Sequence, residues 1–165
     1  ALEPEHPSLK LLIVGDGPLR SVITTAFQER NQLQRVIFAG SQTHEEIPKF
    51  IRQFDLALAP YSTPEHAFYF SPLKLFEYMA CAVPVVAGNI GQINELVKHG
   101  ETGWLYPPGE LSGLTDACRT LLEVPALRAR LGNAGAEVVH ASYTWDRNVR
   151  VLEQTFAGFG TQREA

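Results

Sequence analysis

Five short apolar runs, each giving way to turn residues and then to a helical pattern, restrict this chain more than any other feature. They are Leu11–Val14, Val36–Ala39, Asp55–Ala59, Pro84–Ala87 and Thr102–Tyr106. Runs without polar alternation suit strands buried on both faces, and strands separated by helices suit a parallel sheet with right-handed crossovers. The stretches between them predict helices over Pro18–Asn31, from a capping Thr43 through Gln53, and over Gly91–His99, with another in SPLKLFEYMA at 71–80. Three more helical patterns follow, at Leu111–Glu123, Pro125–His140 and Trp145–Phe156. The expected class is α/β, one parallel sheet with helices on both faces. A chain of 165 residues suits a single compact domain.

In such sheets ligands lie beyond the carboxyl ends of the strands. That points to Gly15–Pro18, Gly40–Thr43, Pro60–Ser71 and Gly88–Gln92. The first, GDGPLR at 15–20, places Gly15, Gly17 and Pro18 where a strand turns into a helix. Glycines there admit a ligand close to the backbone, and helix-start amides suit an anion. The pattern is not GxGxxG, since position 20 is Arg, and it has no Walker lysine; a tight turn without ligand is an equal alternative. The segment YSTPEHAFYFS at 61–71 is rich in aromatics and carries Glu65 and His66. Irregular stretches of that length in compact domains are commonly functional. His66 has no neighbour at a metal-ligand spacing, so no metal is expected.

SPLKLFEYMA carries the sharpest signal. Ser71 suits an N-cap and Pro72 a first helical residue, which leaves the amides of Leu73 and Lys74 free to meet a phosphate. Lys74 adds positive charge. Glu77 follows about one and a half turns into the helix, among Leu73, Leu75, Phe76 and Met79. An ionised carboxylate in apolar surroundings is costly unless it is paired or hydrogen-bonded. Two sugar hydroxyls would satisfy its oxygens; an ion pair with Lys74, three residues away, would do so equally well. No nucleophile–base arrangement is present, and His6, His44, His66, His99 and His140 are scattered. Any catalytic contribution would thus come from binding and electrostatics.

Composition excludes several classes. A net charge of −4 and a pI near 5.7 argue against a nucleic-acid partner. Cys81 and Cys118 lie in apolar helical contexts and read as core thiols, not a disulfide framework. No apolar run approaches the roughly 20 residues of a membrane span, and ALEPEHPSLK is no signal peptide, so a cytoplasmic location is expected. The first turn lacks the dinucleotide fingerprint, and no acidic residue follows a second strand about 20 residues later. No cofactor is expected. ALEPEHPSLK runs straight into the first strand, which suggests a domain truncated on its N-terminal side.

Three segments together carry a resemblance: LLIVGDGPLR, VIFAGSQTHEEIPKFIRQFDLALAPY and SPLKLFEYMACAVPVVAGNIGQINELVKHGETGWLYPPGE. They look like the C-terminal, donor-binding domain of family 4 glycosyltransferases with the GT-B fold, and YTWDRNVRVLEQTF resembles that family's closing helix. The resemblance implies a single Rossmann-like nucleotide-sugar-binding domain over 1–165, with 141–165 as the closing helix. It implies a retaining enzyme of hexosyltransferase type that moves a sugar from a UDP- or GDP-linked donor to an acceptor. The acceptor would be held by an N-terminal domain that this chain lacks.

By the same resemblance the diphosphate would lie against Gly15, Gly17 and Pro18 and the helix start at Ser71, Pro72, Leu73 and Lys74. Glu77 would hold the ribose, and the base would lie near Gly40, Ser41 and onward to Thr43. Family members carry a second glutamate eight positions before Glu77; that position is Tyr69 here. The family's diphosphate-binding Arg and Lys would lie upstream of Leu11. The fragment alone is therefore expected to bind nucleotide weakly and to be inactive, and its cut edge strand to favour self-association. Membrane contact would come through the missing half. Two other readings remain open: a non-catalytic nucleotide-sugar-binding or scaffold module, and a GT-B nucleotide-sugar epimerase.

Overall fold

A computed structural model describes residues 2–61 and 72–160, with side chains to 157. Its strands are β1 (Leu11–Val14), β2 (Val36–Gly40), β3 (Ala57–Ala59), β4 (Val85–Gly88) and β5 (Trp104–Tyr106). Its helices are α1 (Arg20–Gln28), α2 (Ile47–Ile51), α3 (Leu73–Ala80), α4 (Ile93–Leu96), α5 (Leu111–Glu123), α6 (Pro125–Ser142) and α7 (Trp145–Gly160). All strand pairings between named strands are parallel, and helices flank the sheets, as the apolar runs require.

The expected single sheet is divided. β1 pairs with β2, Leu11 opposite Val36, while β3, β4 and β5 form a second ladder with β4 in the middle. Each ladder needs a neighbour on both edges to continue, and among the described residues no strand lies on the second edge of β1 or β3.

Burial follows the strand's period of two. Ala57, Ala59, Val85 and Ala87 point into one core with Leu75, Met79, Ile93 and Val97. Val86 and Tyr106 point the other way, against Ala117, Leu121 and Leu131 of α5 and α6. All four residues of β4 are buried, so the sheet is covered on both sides. Each fully buried valine or leucine contributes about 2 kcal/mol of transfer free energy. α6 serves both cores, with Leu131 in one and Val139 in the other. It passes close to the turn between α3 and β4, where Gly132 lies so near the chain that a Cβ would fall 2.1 Å from the Ala82 carbonyl oxygen.

Helix starts differ from expectation. α1 begins at Arg20, two residues after Pro18. The Thr43 side chain caps nothing; its carbonyl instead accepts the amides of Glu46 (3.0 Å) and Ile47 (3.2 Å), closing a turn that delays α2 to Ile47. Pro72 precedes α3 and is not its first residue, because its ψ of 73° is not helical; its carbonyl accepts the Leu75 amide at 2.8 Å. Ser71, Glu65, His66 and Tyr69 lie outside the described residues.

Candidate functional site

The turns after β1 and β2 are fastened to each other. The Gly15 amide donates to the Gly40 carbonyl at 2.8 Å, with Gly15 at φ 129° and Gly40 at φ 70°, both in the region that side chains disfavour. Asp16 braces the turn: one oxygen accepts the Gly17 amide at 2.8 Å and the other meets Arg20 at 3.2 Å. The Arg20 guanidinium also covers the Phe38 ring at 4.9 Å, joining α1 to β2. Arg20 is thus occupied by the scaffold. A Cβ at Gly17 would meet nothing within 4 Å. Its missing side chain leaves open surface where a ligand's backbone contacts would be unobstructed. Pro18 and Ser41, each next in the chain to a glycine of these turns, are exposed.

α3 supplies the charged groups. Its pattern buries Leu75 and Met79, which turns Leu73 outward, 71% exposed, and leaves Glu77 partly covered. The expectation of a carboxylate enclosed by apolar side chains is corrected here: Glu77 is 38% exposed, because Leu75 and Met79 point to the core while it lies toward the side. Nor does it pair with Lys74. Lys74 extends over the Tyr61 ring, with Nζ 4.6 Å from the centroid. Burial pushes the Lys74 ammonium below the usual lysine range and the Tyr61 phenol above its own. A desolvated ammonium is a strong partner for a phosphate, since less water must leave on binding.

Glu77 instead meets His44, with Oε1 3.9 Å from Nδ1. Sequence reasoning left His44 as one of five scattered histidines; no spacing rule links residues so far apart. The contact brings the turn after β2 beside α3. His44 is four steps along the chain from Gly40, a reach of at most about 14 Å, so the glycine turn and Glu77 border one region. Tyr61, which carries Lys74, is seated over the end of β4: a Cβ at Gly88 would stand 2.8 Å from the Tyr61 carbonyl oxygen. The amides of Leu73 and Lys74, first in α3, have no acceptor among the described residues. Gly15, Gly17, Gly40, Lys74 and Glu77 therefore stand on turns and a helix start at the carboxyl ends of β1 to β4.

Other groups lie apart from these elements. A concavity of about 380 Å³ opens between the end of α6 and α7, bordered by His140, Arg147 and Arg150. Glu5, His6 and Glu123 come within ligand-sharing distance of one another, but an oxygen of Glu5 is held by Arg119 at 2.6 Å. No described helix is long and apolar enough to cross a membrane.

Comparison with known proteins sets this geometry in a family. The chain is 31% identical over 147 residues to N-acetyl-alpha-D-glucosaminyl L-malate synthase of Bacillus anthracis, covering 89% of this chain and 37% of that protein. It superposes on sucrose-phosphate synthase of Thermosynechococcus elongatus with a TM-score of 0.75 at 30% identity, covering 90% of this chain and 39% of that one. HepE of Anabaena, solved in complex with UDP-glucose, gives a TM-score of 0.78 at 25% identity, over 92% of this chain and 42% of that one. The chain thus spans little more than a third of the length of the Bacillus relative. The profile of the family described as Glycosyl transferases group 1 matches residues 1–138. With its parallel α/β architecture, its relatives and this match in agreement, the chain belongs to the group 1 glycosyltransferases.

Proposed function

We propose that this chain is the donor-binding domain of a retaining glycosyltransferase of hexosyltransferase type, holding a UDP- or GDP-linked sugar at the carboxyl ends of β1 to β4. The observation that carries the reading is α3: Lys74 and two amides without an acceptor among the described residues at its start, with Glu77 one turn further along. The diphosphate lies against Gly15, Gly17 and Pro18 and the amides of Leu73 and Lys74, beside Pro72. Glu77 accepts the two ribose hydroxyls, and the backbone from Gly40 and Ser41 to Thr43 reads the base. The UDP-glucose in complex with HepE and the N-acetyl-alpha-D-glucosaminyl group in the name of the Bacillus relative support a nucleotide-sugar ligand.

Transfer requires the sugar's bond to the diphosphate to break, leaving negative charge on the departing oxygen. Amides and a poorly solvated ammonium fixed beside that oxygen stabilise the charge as it forms. The acceptor is proposed to bind on a further domain, since the relatives are longer.

Titration with UDP, GDP, ADP and CMP, followed by ligand-observed NMR, tests the reading. One diphosphate should bind with a dissociation constant of about 1 mM or tighter. Glu77→Ala should weaken it by roughly 10- to 100-fold, the cost of losing hydrogen bonds to a charged group. Equal binding by wild type and Glu77→Ala would remove the ribose assignment.

A further inference from the structure

His44 lies in the turn that leads from β2 to α2, and Glu77 lies in α3; they meet with Nδ1 3.9 Å from Oε1. The ring is 91% exposed, whereas the carboxylate is 38% exposed. His44 belongs to neither core and, among the described residues, makes no hydrogen bond. The fold therefore gains little from placing an imidazole there. The carboxylate that it approaches is the one assigned above to the ribose hydroxyls.

We propose that His44 is a positioning residue of the nucleotide site, which when protonated holds the Glu77 carboxylate in its ligand-accepting orientation. This rests on the reading of Glu77 as the ribose ligand. An imidazolium near Oε1 engages one side of that oxygen and leaves Oε2, with the remaining lone pairs of Oε1, for two hydroxyl donors. A neutral imidazole exerts no such hold, and the carboxylate must be ordered when the sugar arrives. Other charged groups lie close to the two residues along the chain. Glu45 and Glu46 adjoin His44, and Glu46 is engaged by Lys49 at 2.7 Å. Lys74, one turn before Glu77 on α3, is engaged by Tyr61. Of these side-chain types, histidine is the one that ordinarily changes charge between pH 6 and 8.

A double-mutant cycle decides the matter. UDP and GDP affinities are measured by ligand-observed NMR at pH 6 and pH 8 on the wild type, His44→Ala, Glu77→Gln and the double variant. His44→Ala should weaken binding about threefold at pH 6, the size of an exposed ion pair, and by far less at pH 8. In the Glu77→Gln background the same change should do nothing at either pH. The diphosphate's own titration is common to all four proteins and cancels in the ratios. His44→Gln should behave as His44→Ala, because charge and not reach is at issue. An equal loss at both pH values, or a loss that survives Glu77→Gln, overturns the inference and leaves the nucleotide site standing. A wild type that binds neither diphosphate overturns the site reading, and the inference with it.

Discussion

Cys118 shows how a single buried residue ties the stability of this protein to pH. It packs at the inner face of α5, 5% exposed, and burial pushes its thiol from 9.0 up to about 11. Because the neutral form is favoured by folding, its stabilising effect is complete below about pH 9 and is lost as pH rises toward 11. A rise of that size is worth at most about 3 kcal/mol. Urea unfolding at pH 8, 9, 10 and 11 should show stability falling over that window, more shallowly in Cys118→Ala. Burial raises Tyr78, Tyr106 and Cys81 in the same direction, so the slope should lessen and not vanish. Glu77 presents the opposite case. Its place in SPLKLFEYMA was legible because carboxylates are conspicuous in apolar helices, yet its partner was not. Lys74 was the candidate that helix spacing offers, while His44 is supplied by another element through tertiary folding.

Elements were legible where hydrophobic period and breakers agreed. α5 spans Leu111–Glu123 as expected, bounded by Glu110 and by Val124 ahead of Pro125. Helix starts were less legible, because a threonine or proline favours a start without dictating which residue adopts helical dihedrals. Thr43 closes a turn with its carbonyl, and Pro72 stands outside α3, displacing both starts toward the C-terminus. The division of the sheet was also hidden, since an apolar run states that a strand is buried but not which neighbours cover its edges. Close contact between elements was invisible too. Nothing in LGNAGAEV marks Gly132 as the point where α6 touches the chain at Ala82, a residue at φ 58°. Gly132→Ala should force α6 from the α3–β4 turn and cost at least about 2 kcal/mol, measurable as a lower urea midpoint with an unchanged slope. A neutral substitution there would mean that the turn yields without disturbing Met79 and Leu75.

At the scale of the whole molecule, α7 differs from the rest. Trp145 (85% exposed) and Phe156 (71%) stand in solvent, and Val149 and Leu152 lie between them at helical spacing. An amphipathic helix with its apolar stripe uncovered tends to find a partner. The chain is expected to self-associate at high concentration, and removal of residues 145–165 should return light scattering toward the monomer mass with little change in melting temperature. An unchanged mass would place the contact elsewhere, the edges of β1 and β3 that no described strand covers being the next surface to test. The remainder is held together differently. α6 gives Leu131 to the core on one side of the sheet and Val139 to the core on the other, while β4 alternates its side chains between them. Neither core can be opened without dragging a shared helix and a shared strand away from its counterpart. Heat should therefore find one cooperative unit in residues 57–142, whose calorimetric and van't Hoff enthalpies coincide.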